Sequence, residues 1–457
     1  MRAKEIDLTT GSLLPKIVQF SLPMLFTNIL QLLFSAADLV VAGRFAGGNA
    51  LAAIGATGSF HYLFIGLYTN LSAGVNVLAA RSFGAGDDQG IDRVVHTSVV
   101  ASLLLGLMLA LLEIGLSRPV LQLMGTPDDV LPLSLRYVRV VACSLPASTL
   151  FAFGAAVLRA SGNTRTPSVV LASAGGVNVV LNLCFVLGPR LGVLGLALAT
   201  TISQALSGLV ILWLLCRHSG QWRLHLNRLR VHGRTLRDMA WIGIPAAVQG
   251  LMFTTANLLI QASVNAFGTD AVSGNTAAGS LDDFVYFSMA SMLQTSMVFS
   301  GQNYGAGKLD RIRRGSRVCA GFATAIGLIL GMVVLLGSDV LLRFYTDSPA
   351  QAEFAKLRLV VTCTTYFFCG IMDVYSGFTR GLGSALLPTG VALLCVCGVR
   401  VIWVQFIFPL VGTPPMLYLA FTVSWVLCAA GQFAGFHYTL RKQRRHLAAA
   451  LEESTEG

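Results

Sequence analysis

The chain has 457 residues, of which 54% are hydrophobic and only 12% charged, and it carries a net charge of +11. A water-soluble protein has about a quarter of its residues charged, so there is too little polar surface here to cover a globule in water, and an integral membrane protein is implied. The positive balance invites a nucleic-acid partner, but its distribution along the chain assigns it to membrane topology instead.

The opening stretch, MRAKEIDLTTGSLLPKIVQF, stays polar for too long to read as a cleaved signal peptide. A helix that crosses the hydrocarbon core needs about 20 mostly apolar residues. Twelve such runs follow in order, at 18–42, 53–80, 94–116, 137–158, 168–188, 193–216, 240–266, 275–299, 318–337, 357–379, 388–408 and 416–438. None alternates in polarity as barrel strands do. The expected fold class is therefore all-α integral membrane, with twelve transmembrane helices in two pseudo-symmetric six-helix bundles.

The first run contains Pro23 and, late in its course, Asp38. The second contains His61 and Tyr62 and closes on RSFGAGD at 81–87. Glu113 lies one turn from the end of the third and is expected to snorkel to the surface. The fourth is followed by LRASGNTRTP, and the fifth carries Asn178 and Asn182 one turn apart on one face. After the basic stretch 217–239, which reads as a solvated connector, the seventh run holds Pro245, Gln249, Asn257 and Gln261. Asp282 and Asp283 sit in the eighth, which closes on QNYGAGK at 302–308. Asp373 lies near the middle of the tenth, and Arg400 in the eleventh is expected to pair or snorkel. Nine cysteines sit in or beside apolar runs with no CxxC pair, so neither a disulfide framework nor a zinc site is expected.

Lys and Arg orient the spans. With the N-terminus in the cytoplasm, inside segments hold 23 of them and outside segments 8, a split that follows the positive-inside rule and places both termini inside. It also accounts for the basic charge without nucleic acid.

The chain repeats itself at a shift of 221–222 residues. Pro23 falls on Pro245, Phe45 on Phe267, Gly84 on Gly305, Arg159 on Arg380, Gly162 on Gly383 and Pro167 on Pro388. Six spans per half is an even number, so the halves are parallel repeats about an axis along the membrane normal. The expected domains are a lobe at 1–216, a cytoplasmic connector at 217–239, a second lobe at 240–440 and a tail at 441–457. Parallel halves of this kind enclose a midplane cleft suited to alternating access. No GxxxxGK[ST] phosphate loop is present, so transport by this chain is expected to run on an ion gradient.

A charge deep in a span costs about 2.5–3.5 kcal/mol on insertion scales, so the exceptions are informative. Asp38 and Asp373 are the leading candidates for taking up a proton or, given oxygen neighbours, Na⁺. Asn178, Asn182 and Asp283 are added as candidate cation-coupling groups. His61, Tyr62, Gln249, Asn257 and Asp282 are candidate cleft residues. His61 and Tyr62 occupy the repeat positions of Asp282 and Asp283, and the two pairs are expected to face one another. The acids do not obey the repeat, since Asp38 falls on Leu259 and Asp373 on Ala152. The halves then share a framework and differ in ion duty. Pro23 and Pro245 interrupt their helices where bending is tolerated.

These marks in this order resemble the MATE family, the multidrug and toxic-compound extrusion antiporters of the MOP superfamily. The resemblance rests on SLP and AADLVVAGRFAG, FGAGD and NYGAGK, LRASGNTRTP, and MDVYSGFTRGLGSALLP. It implies export of organic, often cationic, compounds in exchange for Na⁺ or H⁺, without a cofactor or tight metal site, by a plasma-membrane protein expected to act as a monomer and not as an enzyme. It implies cation coupling for Asp38 and Asp373 and helix bending for Pro23. Two departures stand out. Asn182 occupies the place of an acid in the fifth-span NxxLD pattern, and the seventh span has no acid. A competing function is a lipid-linked oligosaccharide flippase of the same superfamily, which needs several cleft Arg or Lys. Only Arg400 is expected well inside a span, which favours the exporter. A membrane receptor or scaffold would need no buried carboxylates.

Overall fold

The computed structural model describes residues 5–46, 48–189, 191–218 and 223–456. Arg190 and the part of the expected connector at 219–222 lie outside the described residues, as do Arg2 and Lys4. Among the described residues the chain is helical with no strand.

Twelve helical runs follow the order of the expected spans. They are α1 (Leu13–Val41), α2 (Gly48–Ala85), α3 (Asp88–Leu123), α4 in two pieces (Leu131–Ala142 and Leu145–Ala160), α5 (Arg165–Leu187) and α6 (Val193–Arg217). The second half repeats them as α7 (Gly233–Asn265), α8 (Thr269–Gly305), α9 (Leu309–Leu336), α10 (Pro349–Gly381), α11 (Leu386–Val411) and α12 (Pro414–Glu456). Most outrun their apolar segments at one end or both, and α7 is already helical through 233–239, within the expected connector. Proline opens several helices at the position where its missing N–H costs nothing, as in both pieces of α4 and in α10. Two helices depart from a single apolar rod. The pieces of α4 meet at 42°. Helix α8 falls short of the apolar character of the other spans, and its last turns are enclosed, with Thr295 to Asn303 buried throughout.

The repeated short loops are now explained. The second glycine of each GAG triplet ends its helix in the left-handed region, Gly86 at φ +66° and Gly307 at φ +71°. The chain then turns back so that Asp87 N–H donates to the carbonyl of Ser82 at 3.0 Å and Lys308 N–H to that of Asn303 at 2.8 Å. A side chain would strain that conformation, whereas glycine does not. Gly162 and Gly383, at φ +96° and +86°, end the fourth and tenth spans in the same way.

Helix α3 shows how a membrane helix is patterned. Leu104, Leu107 and Leu111 point outward, while Ser102, Gly106, Leu109 and Glu113 are buried. The apolar face meets lipid and the small and polar face packs on protein, as membrane packing requires.

The chain divides into two compact units. One holds Phe26–Ala247 together with residues 5 and 6, and the other holds Asp7–Leu25 and residues 248–456. The divisions fall two residues after Pro23 and two after Pro245, both of which lie inside helices. In the first unit the start of α7 lies so close to α2 that a Cβ on Gly74 would meet the Met239 carbonyl oxygen at 2.1 Å. In the second unit the segment before α1 is pinned to α8 and α9. Leu8 N–H donates to Gln302 Oε1 at 3.1 Å, and Arg311 donates to the carbonyls of Leu8, Thr10 and Gly11 at 3.0, 2.6 and 2.9 Å.

Candidate functional site

In the first unit Asp38 is half-buried on α1 beside α5. Asn182 Nδ2 donates to its Oδ1 at 2.6 Å. Asn178, with its amide in the orientation that satisfies both ends, donates to the same carboxylate at 2.9 Å and accepts from the Thr200 backbone N–H at 3.2 Å. The i, i+4 spacing read from the sequence places both amides on one acid. Asn182 Oδ1 is buried with no donor. The cluster thus joins a carboxylate, two amides and one free amide oxygen.

Asp373, on α10 in the second unit, is 6% exposed and makes no hydrogen bond among the described residues. Arg380, two turns along the same helix, is the cation within its electrostatic reach. Arg380 is itself 3% exposed and donates to Gln249 Oε1 at 2.7 Å.

The adjacent acids of α8 part company. A helix turns about 100° per residue, so neighbours face different ways. Asp282 is 2% exposed and receives Arg358 Nε at 2.9 Å, a second Arg358 nitrogen at 2.8 Å and the Thr362 hydroxyl at 2.9 Å. Arg358 also donates to Asn275 Oδ1 at 2.8 Å, and Asn275 to Gln261 Oε1 at 2.6 Å. Asp283 is exposed.

The remaining expected cleft residues are engaged within their own units, apart from Tyr62, which is 61% exposed. Asn257 accepts from Arg400 at 2.6 Å. His61 Nδ1 lies 2.8 Å from Glu113 Oε1.

Two expectations are corrected. Glu113 does not snorkel. It is fully buried against His61 of α2, which gives its carboxyl a partner inside the protein. Arg400 is not the sole arginine inside a span. Because α10 begins eight residues before its apolar run, Arg358 lies more than two turns inside it, and the side chains of Arg358, Arg380 and Arg400 are all withdrawn from solvent in the second unit. Arg400, 1% exposed, has neutral partners, donating to Asn257 and to Ser424 Oγ at 3.2 Å. Its guanidinium lies 4.5 Å from the Phe421 ring centre and that of Arg358 lies 5.6 Å from it, arrangements in which the ring face attracts the cation. Arg400 is also flanked by π-helical turns at Leu393–Gly398 and Trp403–Ile407. Such turns often mark functional sites, and no spacing in the sequence signals them.

Comparison with known proteins agrees with this architecture. The probable multidrug resistance protein YoeA of Bacillus subtilis is 26% identical over 389 residues, covering 84% of each chain. A structure described as the outward-facing conformation of a multidrug resistance MATE family transporter of the MOP superfamily aligns over 97% of this chain and 100% of its own, with a TM-score of 0.89 at 20% identity. A MOP superfamily transporter from Pyrococcus furiosus, described as having a binding pocket of reverse polarity that suggests a different function, aligns over 98% of this chain and 99% of its own at a TM-score of 0.85 and 20% identity. The MatE family model matches twice, at residues 23–184 and 245–404, and each match opens on one of the two helix prolines. The protein is therefore a member of the MatE family, a multi-pass membrane transporter built from two copies of one six-helix repeat.

Proposed function

We propose that the protein exports organic, often cationic, compounds across the plasma membrane by antiport with H⁺ or Na⁺. Asp38 and Asp373 act as the coupling groups, and Pro23 and Pro245 as the points where the leading helices bend. Both termini lie in the cytoplasm, and a single chain suffices. Multidrug resistance and export names among the relatives support the cargo class.

The observation that carries the reading is Asp373, a carboxyl withdrawn from water with no hydrogen bond among the described residues. A buried charge without a donor costs several kcal/mol, and among the described residues only the Arg380 guanidinium offsets it at a distance, so taking up or releasing a proton or cation here changes the energy of the state that encloses it. Asp38 is the second loading group. Amides are reversible ligands, offering N–H to an ionised carboxylate and oxygen to a bound cation, so Asn178 and Asn182 suit either state. Asn182 cannot itself be protonated, which leaves Asp38 as the titrating member of that cluster.

A second reading, with an anionic cargo, is favoured by the withdrawn guanidiniums of Arg358, Arg380 and Arg400 in the second unit. Asp38→Asn tests the first reading. It keeps side-chain size and removes the titrating group, so efflux of a lipophilic cation driven by an imposed gradient is expected to fall several-fold while insertion is unchanged. Full gradient-driven efflux by this variant would make Asp38 a structural residue.

A further inference from the structure

The His61–Glu113 pair has a composition that packing alone does not require. Glu113 Oε1 lies 2.8 Å from His61 Nδ1, while Oε2 is buried with no donor. The Glu113 side chain is fully buried, whereas His61 keeps 17% of its side chain exposed. Phe60, Phe64, Tyr68, Leu109 and Val138 form an apolar cluster in the first unit, with Phe60 adjoining His61 along α2 and Leu109 one turn before Glu113 on α3. Tyr68 of α2 is the titratable member of that cluster. Tyr137 of α4 packs against the same cluster. No salt bridge to Glu113 other than that of His61 occurs among the described residues.

With Glu113 ionised and His61 neutral, the pair puts one negative charge in an apolar cluster, and half of that carboxylate has no donor. One added proton removes the charge without breaking any contact, because Oε1 and Nδ1 can share a hydrogen whichever atom holds it. Proton entry needs an accessible edge, and the imidazole keeps 17% of its side chain exposed. We propose that His61 and Glu113 form a proton-binding dyad in the first unit, separate from Asp38, in which Glu113 becomes a neutral carboxylic acid when the proton is bound. In the step one H⁺ adds to the imidazole at Nε2 while the Nδ1 hydrogen passes to Oε1, leaving a neutral imidazole and a neutral carboxylic acid, and the reversal releases one H⁺ by the same route. In an exporter the dyad adds to the protons moved per cargo. That consequence rests on the transport reading, whereas the dyad's titration does not.

The test needs no cargo and no gradient. The chain has six glutamates, and Glu113 is the one buried among those whose side chains are described. Infrared difference spectra of the purified full-length protein are recorded across a pH series, with and without ¹³C-labelled glutamate carboxyls. The expected result is a protonated-carboxyl band that appears on acidification, shifts with glutamate labelling and has the high frequency of an apolar site. Glu113→Gln removes this band. Glu113→Asp restores a titrating band that responds to aspartate labelling instead. The idea is overturned if the unaltered protein shows no glutamate-derived band in that region that changes with pH, or if the band survives Glu113→Gln. The unaltered protein suffices for the first comparison, so a variant that fails to fold does not leave the question open. Loss of transport with an intact band would sink the exporter reading and leave the dyad standing.

Discussion

Asp373→Asn is expected to abolish gradient-driven efflux, by roughly tenfold or more, equivalent to at least about 1.4 kcal/mol of lost driving interaction, while leaving the protein folded and inserted. The substitution keeps the side chain's size. Asp373 makes no hydrogen bond among the described residues, so exchanging an oxygen for an amide nitrogen breaks no contact. What disappears is the capacity to gain and lose a charge. Arg380 keeps its bond to Gln249 Oε1 at 2.7 Å, so the framework around the site is preserved. Efflux and thermal stability measured on the same preparation separate the two effects. Unchanged efflux would remove Asp373 from the mechanism, and a collapse in stability would show that the carboxyl is structural.

Arg358→Met should produce the largest loss of stability, about 3 kcal/mol or more, because breaking a buried ion pair strands the other charge. Asp282 would keep one hydroxyl donor, from Thr362 at 2.9 Å, and lose both guanidinium contacts. Asn275 would lose its donor at 2.8 Å, loosening the chain of bonds that reaches Gln261 on α7. Asp282→Asn in the same molecule removes the stranded charge, so the double variant is expected to recover much of the loss. A thermal-unfolding cycle over the four proteins reads this directly. Additive losses, or no loss in the single variant, would mean that the pair does not hold α8 to α10.

The framework was legible because its signals are local. Positive φ at Gly86 and Gly307 needs glycine, and a glycine is visible in any sequence. Repetition at a shift of 221–222 residues made such marks count twice. Asp38 with Asn178 and Asn182 was legible in part, since one helical turn separates the amides and an acid was at hand. Partnerships between distant segments were not. Glu113 looked like a surface residue because the apolar run ended beside it, yet α3 continues to Leu123 and carries it inside. Arg358 stands at the very edge of the tenth apolar run, so its depth is invisible in the sequence, whereas α10 starts at Pro349 and carries it inside. Apolar windows report where lipid touches a helix, and a helix enclosed by other helices extends beyond them. Nothing in SLDDFVYF told which of its two acids faces inward, and that orientation gives Asp282 its arginine and leaves Asp283 exposed.

Reconstitution into liposomes, with pH and Na⁺ gradients imposed one at a time and efflux of a lipophilic cation followed, tests most directly the claim that buried carboxyls couple cation entry to cargo exit. The account predicts efflux under at least one of the two gradients, none when both are collapsed, and none under either gradient for Asp373→Asn. Equal efflux with both gradients collapsed would contradict it.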